Sequence, residues 1–248
     1  MPDILSDRPA DGVLRLTLNR RDVHNAITLD MQRTLAGALT AAADDDSVRV
    51  VVLTGTGDAA FSAGYDIDEL TCIDPAELPA VLSERDEMLW QYLTFGKPTV
   101  AAVGGLARGA GTLYAACSDI RVGGPTTSIA VTAVTYGAAN LTWLLDSLIG
   151  GAYTRDLLMS GRAVDVREAQ AIGLVTRFAD CPDVASVQTA IELAAQSPSA
   201  LRAIKSLLHD DRLRARFDAE AATTRRLMDG KSMATTFSSF TRRGAVTA

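Results

Sequence analysis

Two short runs, Val48-Arg49-Val50-Val51-Val52-Leu53 and Thr99-Val100-Ala101-Ala102-Val103, constrain this chain more than any other feature. Nearly unbroken apolar, β-branched segments of this length read as strands covered on both faces, the condition of a parallel sheet. Helical periodicity lies between and around them. Thr28 can cap a helix running to about Ala43, in which Leu35, Ala38, Leu39 and Ala42 recur at helical spacing. A second helix is expected from Pro75 to Leu93, a third opening near Gly109, and a further buried strand at Asp119-Ile120-Arg121-Val122. Strands alternating with helices place the chain in the α/β class. Gly12 to Asn19 alternates instead, with leucines on one side and Arg15 and Thr17 on the other, which predicts a half-exposed strand at a sheet edge or outer layer.

Beyond Asn140 the pattern turns helical, over 141–149, 153–160, 166–171, 185–195, 200–208 and 212–228, with a short strand expected at Leu174-Val175-Thr176-Arg177. Pro198 suits the first turn of one of these helices. There is no internal repeat and no low-complexity linker. The expected division is a core over residues 1–196 and a helical C-terminal region over 197–248.

Two glycine-broken stretches carry the chemistry: Phe61-Ser62-Ala63-Gly64-Tyr65-Asp66 and Gly105-Leu106-Ala107-Arg108-Gly109-Ala110-Gly111. Each follows an apolar strand and leads towards helical sequence, where unpaired backbone N–H groups can converge on one oxygen. A helix N-terminus adds roughly half a positive charge, which favours an oxygen that is gaining negative charge. The helix after the second stretch reads Thr112-Leu113-Tyr114-Ala115-Ala116-Cys117 and holds no carboxylate. The pattern suits polarisation of a carbonyl better than movement of a proton.

Other chemistries find little support. Gly55-Thr56-Gly57-Asp58-Ala59-Ala60 formally fits a dinucleotide fingerprint, but that motif needs a helix to start at once and an acid ending a second strand about 20 residues on. Here Phe61-Ser62-Ala63-Gly64 intervenes and the residues near 80 are helical, so a turn is expected. There is no phosphate loop with its lysine and no Gly-x-Ser-x-Gly elbow. A net charge of −6 argues against nucleic acid as a partner, and the basic residues of the C-terminal region read as a solvated helical face. His24 and His209 are the two histidines of the chain, and no metal ligand set is expected. Cys72, Cys117 and Cys181 lack ligand spacing and read as reduced thiols. Met1 to Val13 carries Asp3, Asp7 and Asp11 and no basic start, and no stretch is apolar enough to span a bilayer, so no membrane association and a cytoplasmic location are expected.

Taken in order, Asn19-Arg20-Arg21-Asp22-Val23-His24-Asn25-Ala26, Val50-Val51-Val52-Leu53-Thr54-Gly55, the two glycine stretches and Ser118-Asp119-Ile120 resemble the crotonase superfamily, the enoyl-CoA hydratase/isomerase proteins. The resemblance continues through Gly161-Arg162 and Ala169-Gln170-Ala171-Ile172-Gly173-Leu174-Val175, and more loosely to the end. It implies a spiral of ββα units with a helical C-terminal region that forms trimers, often paired into hexamers. It also implies an acyl-CoA thioester as partner, with coenzyme A entering as part of the substrate and no separate cofactor. Carried over by position, the oxyanion donors would be the N–H groups of Tyr65 and Ala110, the latter standing where the family usually has glycine. Coenzyme A would run along Val23, His24, Ala26, Ala63 and Ile67. In the C-terminal region Phe237, Phe240, Lys231, Arg242 and Arg243 would meet the adenine and phosphates, with a lid partly supplied by a neighbouring chain.

Where hydratases of this family keep two glutamates, this chain has Leu113 and Ala133, and where other members keep an aspartate it reads Asn140-Leu141-Thr142. Efficient hydration is therefore not expected. Candidate substitutes nearby are Tyr136, Thr112, Thr132, Thr135 and Asn140, with Asp68, Glu69, Glu84 and Glu87 on the segment after the first glycine stretch, where helix-start and solvent-face roles suit the acids better. Two readings stay open: an enzyme of the hydratase/isomerase type, lyase or isomerase, with a different acid/base or an acyl-CoA decarboxylation, and a non-catalytic acyl-CoA-binding or carrier protein. Leu113, Ala133, Tyr136, Trp143 and Leu144 predict an acyl pocket suited to a hydrophobic chain.

Overall fold

The computed structural model describes residues 1–209, 211–228, 233 and 235–237. Six strands form the larger sheet in the order β1 (Ile4–Ala10), β2 (Gly12–Leu18), β3 (Val48–Gly55), β5 (Thr99–Val103), β7 (Ile120–Gly123) and β10 (Arg177–Phe178). The first pair is antiparallel and the rest run parallel. A smaller sheet stacks β4 (Ala60–Ser62), β6 (Leu106–Arg108), β8 (Ser128–Ala130) and β9 (Val164–Asp165). Successive turns of chain thus lay one strand in each sheet and then a helix, the α/β spiral expected.

Both faces of the larger sheet are covered. Val13, Val50, Val52, Val100 and Val122 meet Ala190 of α7 (Pro182–Ala194), while Leu14, Leu16, Val51, Leu53 and Ala101 face the main core. The alternating segment 12–18 is not at the edge, as its pattern predicted. β1 takes that place, pairing Ile4 with Leu18 and Ser6 with Leu16. Thr28 caps α1 (Leu29–Asp44) by accepting from Met31 N–H at 3.2 Å. The helix expected over 75–93 starts later, as α3 (Leu78–Leu93), and is preceded by α2 (Ile67–Cys72), which Asp66 caps through Glu69 N–H. The two helices expected over 141–160 are one element, α5 (Leu145–Ser160), kinked at Gly150 with φ 75°. Among the remaining helices are α4 (Ala110–Cys117) and α6 (Val166–Ala171), with α8 (Pro198–Leu208) and α9 (Asp211–Met228) closing the described chain. The boundary drawn at residue 196 falls between α7, which lies on the large sheet, and α8.

One buried ion pair ties α8 to the core. Lys205 Nζ lies 2.6 Å from Asp119 Oδ2 and 3.2 Å from the Lys97 carbonyl oxygen, and the same carboxylate oxygen accepts from Thr99 N–H at 2.7 Å. The lysine side chain is 9% exposed and the aspartate 29%. Removing one partner of a fully buried pair costs about 3 to 5 kcal/mol, and the partial exposure of Asp119 lowers this to about 2 to 3 kcal/mol for Lys205→Met. A matching fall in the urea unfolding free energy is the expected result, and an unchanged midpoint would show that the pair holds nothing.

Candidate functional site

The site begins with Asn25. It adopts φ 55°, a left-handed conformation that asparagine tolerates better than most residues, and is 1% exposed. Its side chain donates to the carbonyl oxygens of Thr56 and Ala60 at 3.1 and 2.8 Å and accepts from Arg20 N–H. Its own carbonyl accepts from Ser62 Oγ, which in turn accepts from Gly64 N–H at 3.1 Å. The loop after β2 is thereby fastened to the first glycine stretch, a role for Asn25 and Ser62 that the motif alone did not reveal. Arg20 adds a 2.6 Å ion pair to Asp66.

The first stretch then aligns beside Ile27. Ile27 N–H donates to the Gly64 carbonyl at 2.8 Å and Asp66 N–H donates to the Ile27 carbonyl at 3.0 Å. In such a parallel bridge the intervening residue, Tyr65, turns its own N–H to the opposite side. On that side lies the second glycine stretch. A methyl group placed on Gly64 would sit 3.0 Å from the Arg108 carbonyl oxygen and 3.2 Å from the Ala110 nitrogen. Gly64 (φ 108°) and Gly109 (φ 48°, ψ −123°) both adopt conformations that L side chains rarely reach, so two backbones meet here at a distance other residues would prevent. Ala110 opens α4, where the helix itself offers its N–H no acceptor. Among the described residues neither the Tyr65 nor the Ala110 N–H has a main-chain partner.

The Tyr65 side chain is held from behind. The Arg85 guanidinium, 1% exposed, lies 4.3 Å over its ring, donates to Gln32 Oε1 at 2.6 Å and pairs with Glu69. Gln32 also donates to Tyr114 Oη at 3.1 Å, and Glu69 accepts from Leu29 N–H at the start of α1. Burial pushes the Tyr65 hydroxyl up, so it stays protonated at neutral pH.

Next to Tyr65 opens a cavity of about 90 Å³. Leu113, Tyr136 and Trp143 line it as expected, together with Leu82, Asp86 and Leu89 of α3 and Phe217, Glu220, Arg225 and Met228 of α9. Ala133 is 2% exposed and packs in one apolar cluster with the lining residues Leu70 and Tyr136 and with Leu78. Ile67 packs on the same cluster, whereas Val23, His24 and Ala63 are exposed and Ala26 half-buried outside the cavity, with Ala63 N–H donating to the His24 carbonyl at 2.9 Å. Phe237 lines the cavity, its ring 5.1 Å from that of Tyr136. Phe240, Lys231, Arg242 and Arg243 lie outside the described residues.

Several of the acids and hydroxyls weighed as substitutes are engaged elsewhere, while Tyr136 stays in the cavity wall. Glu84 pairs with Arg33, Glu87 with Arg214, and Glu69 with Arg85, while Asp68 is exposed. Thr112 Oγ1 donates to main-chain carbonyls, as does that of Thr135, and Asn140 lines the cavity. Among the described residues two carboxylates reach the cavity, Asp86 and Glu220, and neither was singled out by sequence: each sits in a charged helical stretch that reads as solvent-facing. Burial pushes the Asp86 carboxyl up to about 6, partly offset by Arg225, and raises that of Glu220. Among the described residues no group of three or more His, Cys, Asp or Glu side chains could hold a metal ion, and no helix is long and apolar enough to cross a membrane.

Two facing glycine stretches beside an apolar cavity, mounted on a spiral of stacked sheets, define a crotonase-type fold, and comparison with known proteins gives it a family. The enoyl-CoA hydratase/isomerase model matches residues 8–246, and the chain belongs to that family, whose members act on acyl-CoA thioesters. It is 35% identical over 202 residues to the 2,3-dehydroadipyl-CoA hydratase of Escherichia coli K12, covering 79% of this chain and 78% of the relative. An enoyl-CoA hydratase/isomerase structure from Mycobacterium paratuberculosis aligns with a TM-score of 0.87 at 25% identity, over 96% of this chain and 99% of the other. An enoyl-CoA hydratase from Bacillus anthracis aligns at 0.80 and 25% identity, over 90% of each chain.

Proposed function

We propose that this chain binds a fatty acyl-CoA or enoyl-CoA thioester, seats the acyl chain in the cavity beside Leu113, Tyr136 and Trp143, and polarises the carbonyl between the N–H groups of Tyr65 and Ala110. The approach of Gly64 to Ala110 supports this reading, because it sets side by side two stretches whose Tyr65 and Ala110 amides lack main-chain partners among the described residues. Coenzyme A then runs past the exposed Val23, His24 and Ala63. One such donor can be worth roughly 3 to 4 kcal/mol once the carbonyl oxygen gains charge in a transition state. With Leu113 and Ala133 in the glutamate positions, efficient water addition is not part of the proposal. A homotrimer or hexamer belongs to it, supported by the exposed Ile204, Leu207 and Leu208 on α8.

The donors can be tested without altering the protein. Octanoyl-CoA and its thioether analogue, in which a methylene replaces the carbonyl, differ only at the atom the amides would grip. Two neutral hydrogen bonds at about 1 kcal/mol each predict roughly 30-fold weaker binding of the thioether. Calorimetric titration giving equal affinities would remove the oxyanion hole from the account. Affinity should also rise from butanoyl- to octanoyl-CoA if the apolar cavity takes the chain.

A further inference from the structure

The two carboxylates in the cavity wall are not equivalent. Glu220 is fully engaged: Oε1 accepts from Leu141 N–H at 3.0 Å, and Oε2 from Thr142 N–H at 2.6 Å and Thr142 Oγ1 at 2.5 Å. It clamps the turn in which Leu141 holds φ 64°. Among the described residues Asp86 has one hydrogen bond, to Oδ2 from Arg225 Nη1 at 3.1 Å, and none to Oδ1. Leu82, Asp86 and Leu89 recur at helical spacing along α3 and all line the cavity, so the carboxylate is on the inward face of its helix. Leu113, where hydratases of the family carry a glutamate, lines the same cavity, as does Tyr65.

We infer that Asp86 is the proton carrier of this site, held by Arg225 and acting on the carbon next to the thioester carbonyl. This rests on the acyl-CoA reading above. The ionised carboxylate takes a proton from that carbon; the C–H bond breaks, and its electron pair passes into the carbonyl, leaving an enolate oxygen between the Tyr65 and Ala110 N–H groups. The proton, now on Asp86, returns to the same carbon, or to the γ-carbon of a β,γ-unsaturated chain, which moves the double bond into conjugation. No water is consumed and no co-reactant is needed. One carboxylate suffices for such a shift, whereas water addition needs a second group to hold and activate the water.

The charge environment fits the role. Burial in the cavity wall opposes ionisation of Asp86, as do Glu87 on its own helix and Asp218 on α9, while Arg225 and Arg214 on α9 favour it. The carboxyl is thereby raised to about 6, close to the working range of a general base. Tyr65, which lines the same cavity, stays neutral.

The test uses the full chain with 3-octenoyl-CoA in D2O, following deuterium uptake and double-bond migration by NMR, and octanoyl-CoA for affinity. Wild type is expected to exchange and isomerise. Asp86→Asn should lose at least about 100-fold in rate with octanoyl-CoA affinity within about threefold, and Asp86→Glu should recover part of the rate. The wild-type rate should rise with pH to a plateau above the Asp86 midpoint, and Arg225→Met should move that midpoint upward by removing the cation that favours the charged form. Exchange that survives in Asp86→Asn, or wild type that binds octanoyl-CoA without exchanging, overturns the assignment of Asp86 and leaves the oxyanion reading standing. Failure of wild type to bind octanoyl-CoA overturns both.

Discussion

Crotonyl-CoA incubated with this protein is expected to keep most of its conjugated thioester absorbance, with water added at no more than roughly 10⁻¹ per second. The figure follows from a typical turnover near about 10 per second and the loss of the group that holds the water, worth about 10²- to 10⁴-fold. The structure makes the loss concrete. Leu113 presents a branched alkyl group to the cavity, and Ala133 is a buried methyl in the apolar cluster with Leu70 and Tyr136. Asp86 can carry one proton, but the cavity wall has no second unengaged carboxylate among the described residues to orient water, since Glu220 already accepts three hydrogen bonds. Hydration at the rate of ordinary enzymes would mean that the water-holding group has been misidentified.

The second large effect concerns how the glycine stretches are held together. A methyl on Gly111 would lie 2.8 Å from Ser62 Cβ and closer still to the Ser62 carbonyl oxygen, so backbone would have to give way to backbone. Gly111→Ala is therefore expected to cost about 3 kcal/mol, the upper part of the overpacking range, and to lower the melting temperature by roughly 6 to 12 °C. Acyl-CoA affinity should fall with it, because relief of the clash separates Tyr65 from Ala110. Gly37, in the middle of α1, offers the contrast: a methyl there meets nothing within 4 Å. Gly37→Ala should stabilise the protein by about 1 kcal/mol through helix propensity. Thermal unfolding of the two variants side by side checks both signs, and equal melting temperatures would refute the packing argument.

The parts of the molecule legible in the sequence are those whose signal is local. Val48 to Leu53 and Thr99 to Val103 announce β3 and β5 because burial on both faces demands continuous apolar side chains. The gap expected between helices at 150–152 is real as the Gly150 kink, although the element continues through it. β1 was invisible because Leu5 to Pro9 are exposed and the strand exists only by pairing with β2. β4, β6, β8 and β9 have two or three residues each, fewer than one alternation can reveal. The same holds for the site. The glycines betray the close approach of Gly64 to Ala110, but nothing in Glu84-Arg85-Asp86-Glu87 says which acid turns inward. Glu84 and Glu87 find arginines at the surface, while α9 lying across α3 shields Asp86. That sorting is a property of helix packing.

The cavity is built from both ends of the described chain. Tyr65, Ala110 and Leu113 come from the first half of the chain, yet Phe217, Glu220, Arg225 and Met228 come from α9, and Glu220 also fixes the turn at Leu141. A chain stopped before α9 would keep Tyr65 and Ala110 but lose one wall of the apolar cavity.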